Sequence, residues 1–119
     1  MAILAGPIAI GTLANGVDKS DLQKRISTKV CEERNLSSAD LREADLRNVD
    51  LSAANFSFAS LRNSELKFAD TREADAGATN FMGASLHYAN LEGANLHRAN
   101  LRGADLSGAN LNFTDLRQA

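Results

Sequence analysis

The side chains of this sequence with the greatest chemical reactivity are two histidines and a single cysteine. His87 and His97 are ten residues apart, and Cys31 is far from both along the chain. Neither histidine has the nearby cysteine or histidine partner that structural zinc sites use. A single cysteine forms no disulfide within these 119 residues, which fits a reducing compartment. The sequence therefore predicts no metal ion and no other cofactor.

The charged residues are more numerous, but they are nearly balanced. There are 13 lysines and arginines against 15 aspartates and glutamates, so the formal net charge is -2. Typical nucleic-acid binders carry a basic excess, and this chain does not. Its glycines do not form a phosphate-binding loop between a strand and a helix. We therefore expect no nucleic-acid partner and no enzymatic activity, and a hydrolase or metal site near His87 is the weaker alternative.

A five-residue repeat determines where these side chains are placed. From Arg34 to Gln118 the sequence divides into 17 repeats without a shift of frame. The first position is alanine in 12 repeats, the second is aspartate or asparagine in 14, and the third is leucine or phenylalanine in 15. Only 5% of the residues are aromatic, so the regular leucines must supply most of the buried area.

Simple geometry excludes a long helix and a straight strand. Five residues rotate an α-helix by about 500°, so successive leucines would spiral around it instead of forming a stripe. In a straight strand an odd repeat sends successive leucines to opposite faces. A short strand followed by a corner avoids both problems. Four such edges close a square, so we predict a coil of 20 residues whose neighbours pair at a spacing of about 4.8 Å.

The residue types fit this square coil. Small first-position and large third-position side chains point inward, and second-position Asp and Asn side chains point outward and bond backbone groups at the bends. The fifth position needs a positive φ, as in a type II turn, and it contains several glycines and asparagines. These residues are Gly83, Gly93, Gly103, Gly108, Asn48 and Asn63.

These A(D/N)LXX repeats resemble the pentapeptide-repeat proteins, over about seven-tenths of the chain. The resemblance implies an all-β solenoid, a right-handed, four-sided parallel β-helix, here of about four coils. It implies no single activity. The best-known members bind gyrase as dimeric mimics of DNA and confer quinolone resistance, whereas many small cyanobacterial-type members have no assigned role.

Residues 1–33 precede the repeats of residues 34–119 and are predicted to form an arm and a cap. Ser20-Asp21-Leu22-Gln23 is typical of a helix start, and the predicted helix runs to about Glu32. Leu22, Ile26 and Val30 would cover the first coil. Residues 1–17 are uncharged and apolar, but glycine and proline interrupt them too often for a membrane helix. An extended arm is our interpretation, and an export leader is the alternative.

Residues 20 apart should stack, so the repeat also predicts the surface. Two neighbouring columns carry fixed cations, and an aromatic pair lies beside one of them, which is typical of interaction surfaces. We predict an interaction patch that consists of Arg47, Lys67, His87, Phe68 and Tyr88, with the neighbouring cations Arg42, Arg62 and Arg102. The competing interpretation is a solvated face whose cations pair with nearby carboxylates such as Asp45 and Glu65.

The sequence thus favours a non-enzymatic scaffold in the cytoplasm that binds a protein partner. The alternative is a DNA-mimicking protein that binds gyrase, but arginines interrupt the carboxylates that such a mimic needs. We also expect a homodimer through the C-terminal coil, whose leucines would otherwise face solvent. These leucines are Leu101, Leu106, Leu111 and Leu116.

Overall fold

The computed structural model describes residues 35–119, and over this range the chain is a solenoid with a five-residue step. Isolated parallel bridges join residues 20 apart, from Asn35 and Asn55 at one end to Asn95 and Asp115 at the other. Within residues 35–119 there is no helix, and no strand is longer than one bridge residue. Four repeats therefore make one coil, and the predicted coil length is confirmed. The predicted arm and capping helix of residues 1–33 lie outside the described residues.

Each corner of the coil is a tight turn. The third-position carbonyl accepts a hydrogen bond from the next repeat's first-position N–H, as between Leu36 O and Ala39 N at 3.0 Å. The fifth-position residue has a positive φ in every described repeat, from Ser38 at 60° to Gln118 at 58°. A positive φ at the third residue of a turn, without one at the second, is the type II pattern. Glycine and asparagine were expected here, but Phe68 and Tyr88 also adopt this conformation.

Hydrogen bonds between coils explain why the turn is so uniform. The N–H groups of the third and fifth positions donate to the next coil, as Leu41 does to Ser60 O and Glu43 to Arg62 O. The second-position N–H donates back to the previous coil, as Ser60 does to Ala39 O. Three of the five N–H groups in a repeat thus link coils, and a fourth closes the turn. The ladder therefore holds any fifth-position residue in the same conformation.

The preference for aspartate and asparagine at the second position has an equally direct cause. In all 14 repeats with either residue there, its Oδ1 accepts the remaining N–H, that of the fourth position. Ser60, Glu65 and Ser85 replace them in the other three repeats. The side chain therefore completes the backbone hydrogen bonding of the turn, as an Asx turn does.

The core consists of the first- and third-position side chains. Leu46, Leu66 and Leu86 are fully buried in one such column. Thr71 and Ala76 interrupt two other columns, and the rings of Phe56 and Phe81 meet edge to face near them with centroids 6.1 Å apart. Thr71 is buried, but its hydroxyl donates to Asn90 O at 2.9 Å, so its polarity is satisfied. The core is filled by its own side chains.

We name the outer surface by side and corner. The first side contains residues 39–41, 59–61, 79–81 and 99–101, and the first corner follows it at 42–43, 62–63, 82–83 and 102–103. The second and third sides and corners follow in the same order, each five residues later. The fourth side and corner end at residues 114–116 and 117–118. Each corner contains the fourth- and fifth-position residues, which include the predicted interaction patch.

Candidate interaction site

Two of the predicted patch cations are neutralised within their own repeat. The guanidinium of Arg42 donates from Nε to Asp40 Oδ1 at 2.7 Å and from Nη2 to Asp40 Oδ2 at 2.6 Å. Arg47 binds Asp45 in the same way, with the same two distances. These bidentate pairs arise because the turn places the fourth-position side chain over the second-position carboxylate. The competing interpretation of a self-paired surface therefore holds for Arg42 and Arg47.

These pairs shift the titration of both partners. Hydrogen bonds from the arginine side chains hold the pKa of Asp40 and Asp45 below the ordinary aspartate value, although partial burial opposes this. The same bonds raise the pKa of Arg42 and Arg47. Asp70 and Arg72 repeat the arrangement, as do Asp115 and Arg117. Both partners of each pair therefore stay charged near neutral pH.

The other patch cations have no such partner. Arg62 follows Ser60, Lys67 follows Glu65, and Arg102 follows Asn100. Between residues 35 and 119, no hydrogen bond or ion pair within the protein engages these three side chains. An uncharged second-position residue explains the result for Arg62 and Arg102, since it offers no bidentate acceptor. These cations are available to a ligand or partner.

The predicted aromatic pair lies at the second corner. Phe68 and Tyr88 stack with ring centroids 5.5 Å apart and an interplanar angle of 9°, which confirms the predicted stack. Both remain more than half exposed, at 58% and 55%. Gly108 lies next in the same column, and a Cβ there would come within 2.5 Å of the Tyr88 ring. Glycine at this position therefore gives the ring its space.

His87 extends the aromatic pair into a small polar network. Its ring packs against that of Tyr88 with centroids 4.3 Å apart. Its Nδ1 lies 2.6 Å from Ser107 Oγ, and Ser107 donates to Asp105 Oδ1 at 2.6 Å. Hydrogen bonds from Ser107 lower the pKa of Asp105, and the charges of His87 and Lys67 assist.

The order of this network does not fit nucleophilic catalysis. In a catalytic triad the histidine lies between the serine and the carboxylate and takes the serine proton. Here Ser107 lies in the middle, and its hydroxyl donates a hydrogen bond to Asp105. Residues 35–119 also contain no cluster of three His, Cys, Asp or Glu side chains that could hold a metal ion. The network therefore orients His87 beside the aromatic rings.

Three exposed features fall outside the predicted patch. Phe58 is 71% exposed at the fourth corner, and Phe113 is 89% exposed at the third. Phe113 lies at one end of a shallow groove of about 550 Å³, which Arg72, Glu73 and Glu92 also line. Sequence reasoning missed both phenylalanines, although their fifth-position placement was a usable indication because that position always projects at a corner.

The C-terminal leucines form the edge of the last described coil. Leu101, Leu106 and Leu111 are partly buried against the core, and Leu116 is 41% exposed. The N–H groups of these four leucines donate no hydrogen bond to the backbone of residues 35–119. Their counterparts one coil earlier all do so, as Leu96 does to Asp115 O at 2.8 Å. Residues 35–119 contain no helix that could cross a membrane.

Comparisons with known proteins agree with this architecture. A family model for pentapeptide repeats matches in eight copies, at residues 35–67, 59–98 and 84–119. No curated protein matches the chain significantly. Among solved structures, the pentapeptide repeat protein Rfr23 from the cyanobacterium Cyanothece 51142 is 43% identical with a TM-score of 0.70. That match covers 71% of this chain and 57% of Rfr23.

Two further solved structures are similar. A pentapeptide repeat protein from Nostoc PCC 7120 is 31% identical with a TM-score of 0.66, and the match covers 81% of this chain and 85% of that one. Another, from the Arabidopsis thaliana thylakoid lumen, is 30% identical with a TM-score of 0.65. That match covers 67% of this chain and 56% of the other. The chain thus spans little more than half the length of Rfr23 and of the Arabidopsis protein.

Proposed function

Since the chain belongs to the pentapeptide-repeat family, we propose that it acts as a non-enzymatic scaffold that binds a partner protein at its second corner. The observation that supports this most strongly is the exposed stack of Phe68 and Tyr88 on a rigid ladder. Exposed aromatic side chains held in one conformation lose little entropy on binding, and such residues dominate the energy of many interfaces. The family model describes repeats and indicates no catalytic domain.

The groups around the stack add polar contacts of defined direction. Lys67 precedes Phe68 and makes no hydrogen bond or ion pair within the described residues, so its ammonium group can meet an acceptor. His87 is held by Ser107 through Nδ1, which leaves Nε2 for a partner. Arg47 is held by Asp45, so its part in the patch is to contribute packing and shape. The proposed site is therefore an apolar ridge with two polar contacts beside it.

A matched pair of aromatic variants tests this site. The double variant Phe68→Ala with Tyr88→Ala removes the stack, whereas Phe113→Ala removes an aromatic ring that is more exposed but makes no ring contact within residues 35–119. Affinity purification from the native host, with protein identification by mass spectrometry, should recover the same partner with wild type and Phe113→Ala. The double variant should lose it. Equal recovery by all three proteins would refute the second corner as the site.

The charge distribution does not favour a DNA mimic. A phosphate-like surface needs a continuous negative field around the rod. Here four carboxylates, those of Asp50, Asp70, Glu73 and Glu92, lie on the third side and its corner, and Arg72 is the basic residue among them within residues 49–113 of that side and corner. The first side contains no carboxylate in the three coils that follow the coil of Asp40. We therefore do not propose gyrase binding.

We further propose that two copies meet through the edge formed by Leu101, Leu106, Leu111 and Leu116. The exposed Leu116 supports the proposal, as do the N–H groups of this edge, which donate to no backbone acceptor within residues 35–119, since unpaired strand edges readily accept a second chain. Light scattering at tens of micromolar should show a dimer for wild type and Phe113→Ser and a monomer for Leu116→Glu. A monomeric wild type would refute the proposal.

A further inference from the structure

The first side and the corners that flank it form a surface with no carboxylate in three successive coils. Residues 57–63, 77–83 and 97–103 contain no aspartate or glutamate. They contain Arg62, Arg98 and Arg102, together with the exposed ring of Phe58. We call these three segments the basic strip. Asp40 and Glu43 lie next to the basic strip in the preceding coil, and Asp40 is already bound by Arg42.

The strip presents mainly hydrogen-bond donors. The guanidinium groups of Arg62 and Arg102 are unengaged within the described residues, and that of Arg98 uses only Nε, which donates to Gln118 Oε1 at 2.8 Å. Asn80 and Asn100 use their carbonyl oxygens for the backbone N–H groups of Met82 and Arg102. Their amide NH₂ groups make no hydrogen bond within residues 35–119 and remain donors. A matching partner must supply acceptors and negative charge.

The spacing of the cations indicates which kind of anion fits. Arg62 and Arg102 occupy one column two coils apart, a separation of roughly 10 Å. An extended segment in the polyproline II conformation has three residues per turn and advances about 3.1 Å per residue, so carboxylates at every third residue lie on one face about 9 Å apart and match that separation. A nucleic-acid strand carries a charge about every 3.4 Å along its axis, and the column would leave most of those charges without a cation.

We propose that the basic strip binds an extended acidic segment of a partner protein, which runs along the rod and pairs its carboxylates with Arg62, Arg98 and Arg102. Arginine forks suit carboxylates because they donate two parallel hydrogen bonds. Phe58 provides an apolar contact at the rim of the strip. This inference rests on the proposed scaffold role and adds a second contact of defined chemistry, away from the second corner.

The test uses the full chain and a fluorescently labelled peptide of about 13 residues with glutamate at every third position and serine or threonine between. Fluorescence anisotropy should show about tenfold tighter binding than for the same peptide with glutamine, and binding should weaken as salt rises. Replacing Arg62, Arg98 and Arg102 by glutamine should weaken binding about thirtyfold.

A second set of arginines provides the matched control. Replacing Arg42, Arg47 and Arg72 by glutamine changes the net charge equally, but it removes arginines that already bind carboxylates. This variant should lose less than about threefold in affinity. An equal loss in the two variants, or equal binding of the glutamate and glutamine peptides, would overturn the inference. Tighter binding of a single-stranded oligonucleotide of similar length would overturn it in favour of a phosphate polymer.

The second-corner variant separates this inference from the proposed function. If Phe68→Ala with Tyr88→Ala still recovers the partner from the host while the glutamate peptide binds only through the strip arginines, the second corner is refuted and the strip stands. If the double variant loses the partner while the peptide shows no preference for glutamate, the strip is refuted and the second corner stands.

Discussion

Arg42 and Arg62 occupy the same column of the first corner, one coil apart, yet their charges have different fates. Arg42 follows Asp40 by two residues and binds it through two hydrogen bonds. Arg62 follows Ser60, and Arg102 follows Asn100, and neither arginine side chain is engaged within residues 35–119. The availability of a surface arginine in this fold is therefore decided two residues earlier in the sequence.

The comparison teaches that aspartate and asparagine at the second position are equivalent for the backbone and opposite for recognition. Asp40 and Asn100 both accept the fourth-position N–H through Oδ1. Only the aspartate has a second oxygen for the guanidinium, as the contact of Asp40 Oδ2 with Arg42 shows. Replacing a second-position asparagine by aspartate should therefore pair the arginine two residues later without altering the backbone of the coil.

The largest expected effect comes from giving Arg62 and Arg102, which have no intramolecular partner within residues 35–119, a carboxylate to pair with. Ser60→Asp with Asn100→Asp should form bidentate pairs with Arg62 and Arg102 and weaken glutamate-peptide binding about thirtyfold. Fluorescence anisotropy measures this. Asn90→Asp with Asn110→Asp adds the same charge on the third side, and it should weaken binding less than about threefold. Equal losses in the two variants would show that net charge, and not pairing, controls access.

Acid should break the existing ion pairs between aspartate and arginine. The pKa values of Asp40, Asp45 and Asp70 are lowered in the folded protein, so their pairs stabilise it above about pH 4, the unfolded aspartate range, and this stabilisation is lost as pH falls through the folded values. Because these groups are partly exposed and screened, we expect a loss of about 1–2 kcal/mol for the three together.

Urea unfolding between pH 7 and pH 3 measures this loss. A variant with Asp40, Asp45 and Asp70 all replaced by asparagine keeps the backbone acceptors and loses the titrating groups. Its free energy of unfolding should fall less steeply than that of wild type below pH 4. Parallel curves for the two proteins would contradict a role for the pairs.

Asp40→Asn should have a smaller, two-sided effect. Losing the ion pair should cost about 0.5 kcal/mol of unfolding free energy, since asparagine still accepts the Arg42 N–H. The freed Arg42 should extend the basic strip by one coil and tighten glutamate-peptide binding about threefold. Denaturant unfolding and anisotropy on one preparation measure both. Weaker peptide binding would contradict the proposed control by the second position.

The smallest effect concerns the contribution of an unpaired arginine such as Arg102 to the free energy of unfolding. Arg102→Gln removes no hydrogen bond or ion pair within the described residues, so its unfolding free energy should lie within about 0.3 kcal/mol of wild type. Arg47→Gln breaks a bidentate pair and should lower the free energy of unfolding more than Arg102→Gln does. Chemical denaturation of the two variants tests the difference. A larger loss for Arg102→Gln would show that its side chain does stabilise the coil.

Most of the fold could be predicted because one rule generates it. An odd period with inward leucines permits few shapes, and the 20-residue coil, the outward second position and the stack of Phe68 on Tyr88 all follow from it. The closed pairs were also encoded, since the sequence Asp-Leu-Arg recurs at Asp40, Asp45 and Asp115. The competing interpretation of a self-paired face named Asp45 as such a partner, and the structure shows that the partner lies two positions before the arginine.

Two other features of the structure could not be predicted from the preferences of single residues. A positive φ at the fifth position was predicted from its glycines and asparagines, but residue preference does not explain why Phe58, Glu73 and Tyr88 adopt it as well. Hydrogen bonds between coils impose this conformation on whatever residue stands there. Local preference is therefore a weak guide where long-range bonding determines the backbone. The stacking of residues 20 apart places His87 next to Ser107, but the order of the hydrogen bonds, with Ser107 between His87 and Asp105, was seen only in the structure.

The bent corners carry a thermodynamic consequence for anyone who would engineer this rod. Thirteen residues other than glycine sit in the left-handed region, at a penalty of roughly 1 kcal/mol apiece for an L-amino acid. Exchanging Ala53 or Ala78 for glycine would relieve that penalty, offset in part by the greater freedom of glycine in the unfolded chain. The thermal stability can thus be changed at these corner residues, while the core and the four sides stay as they are.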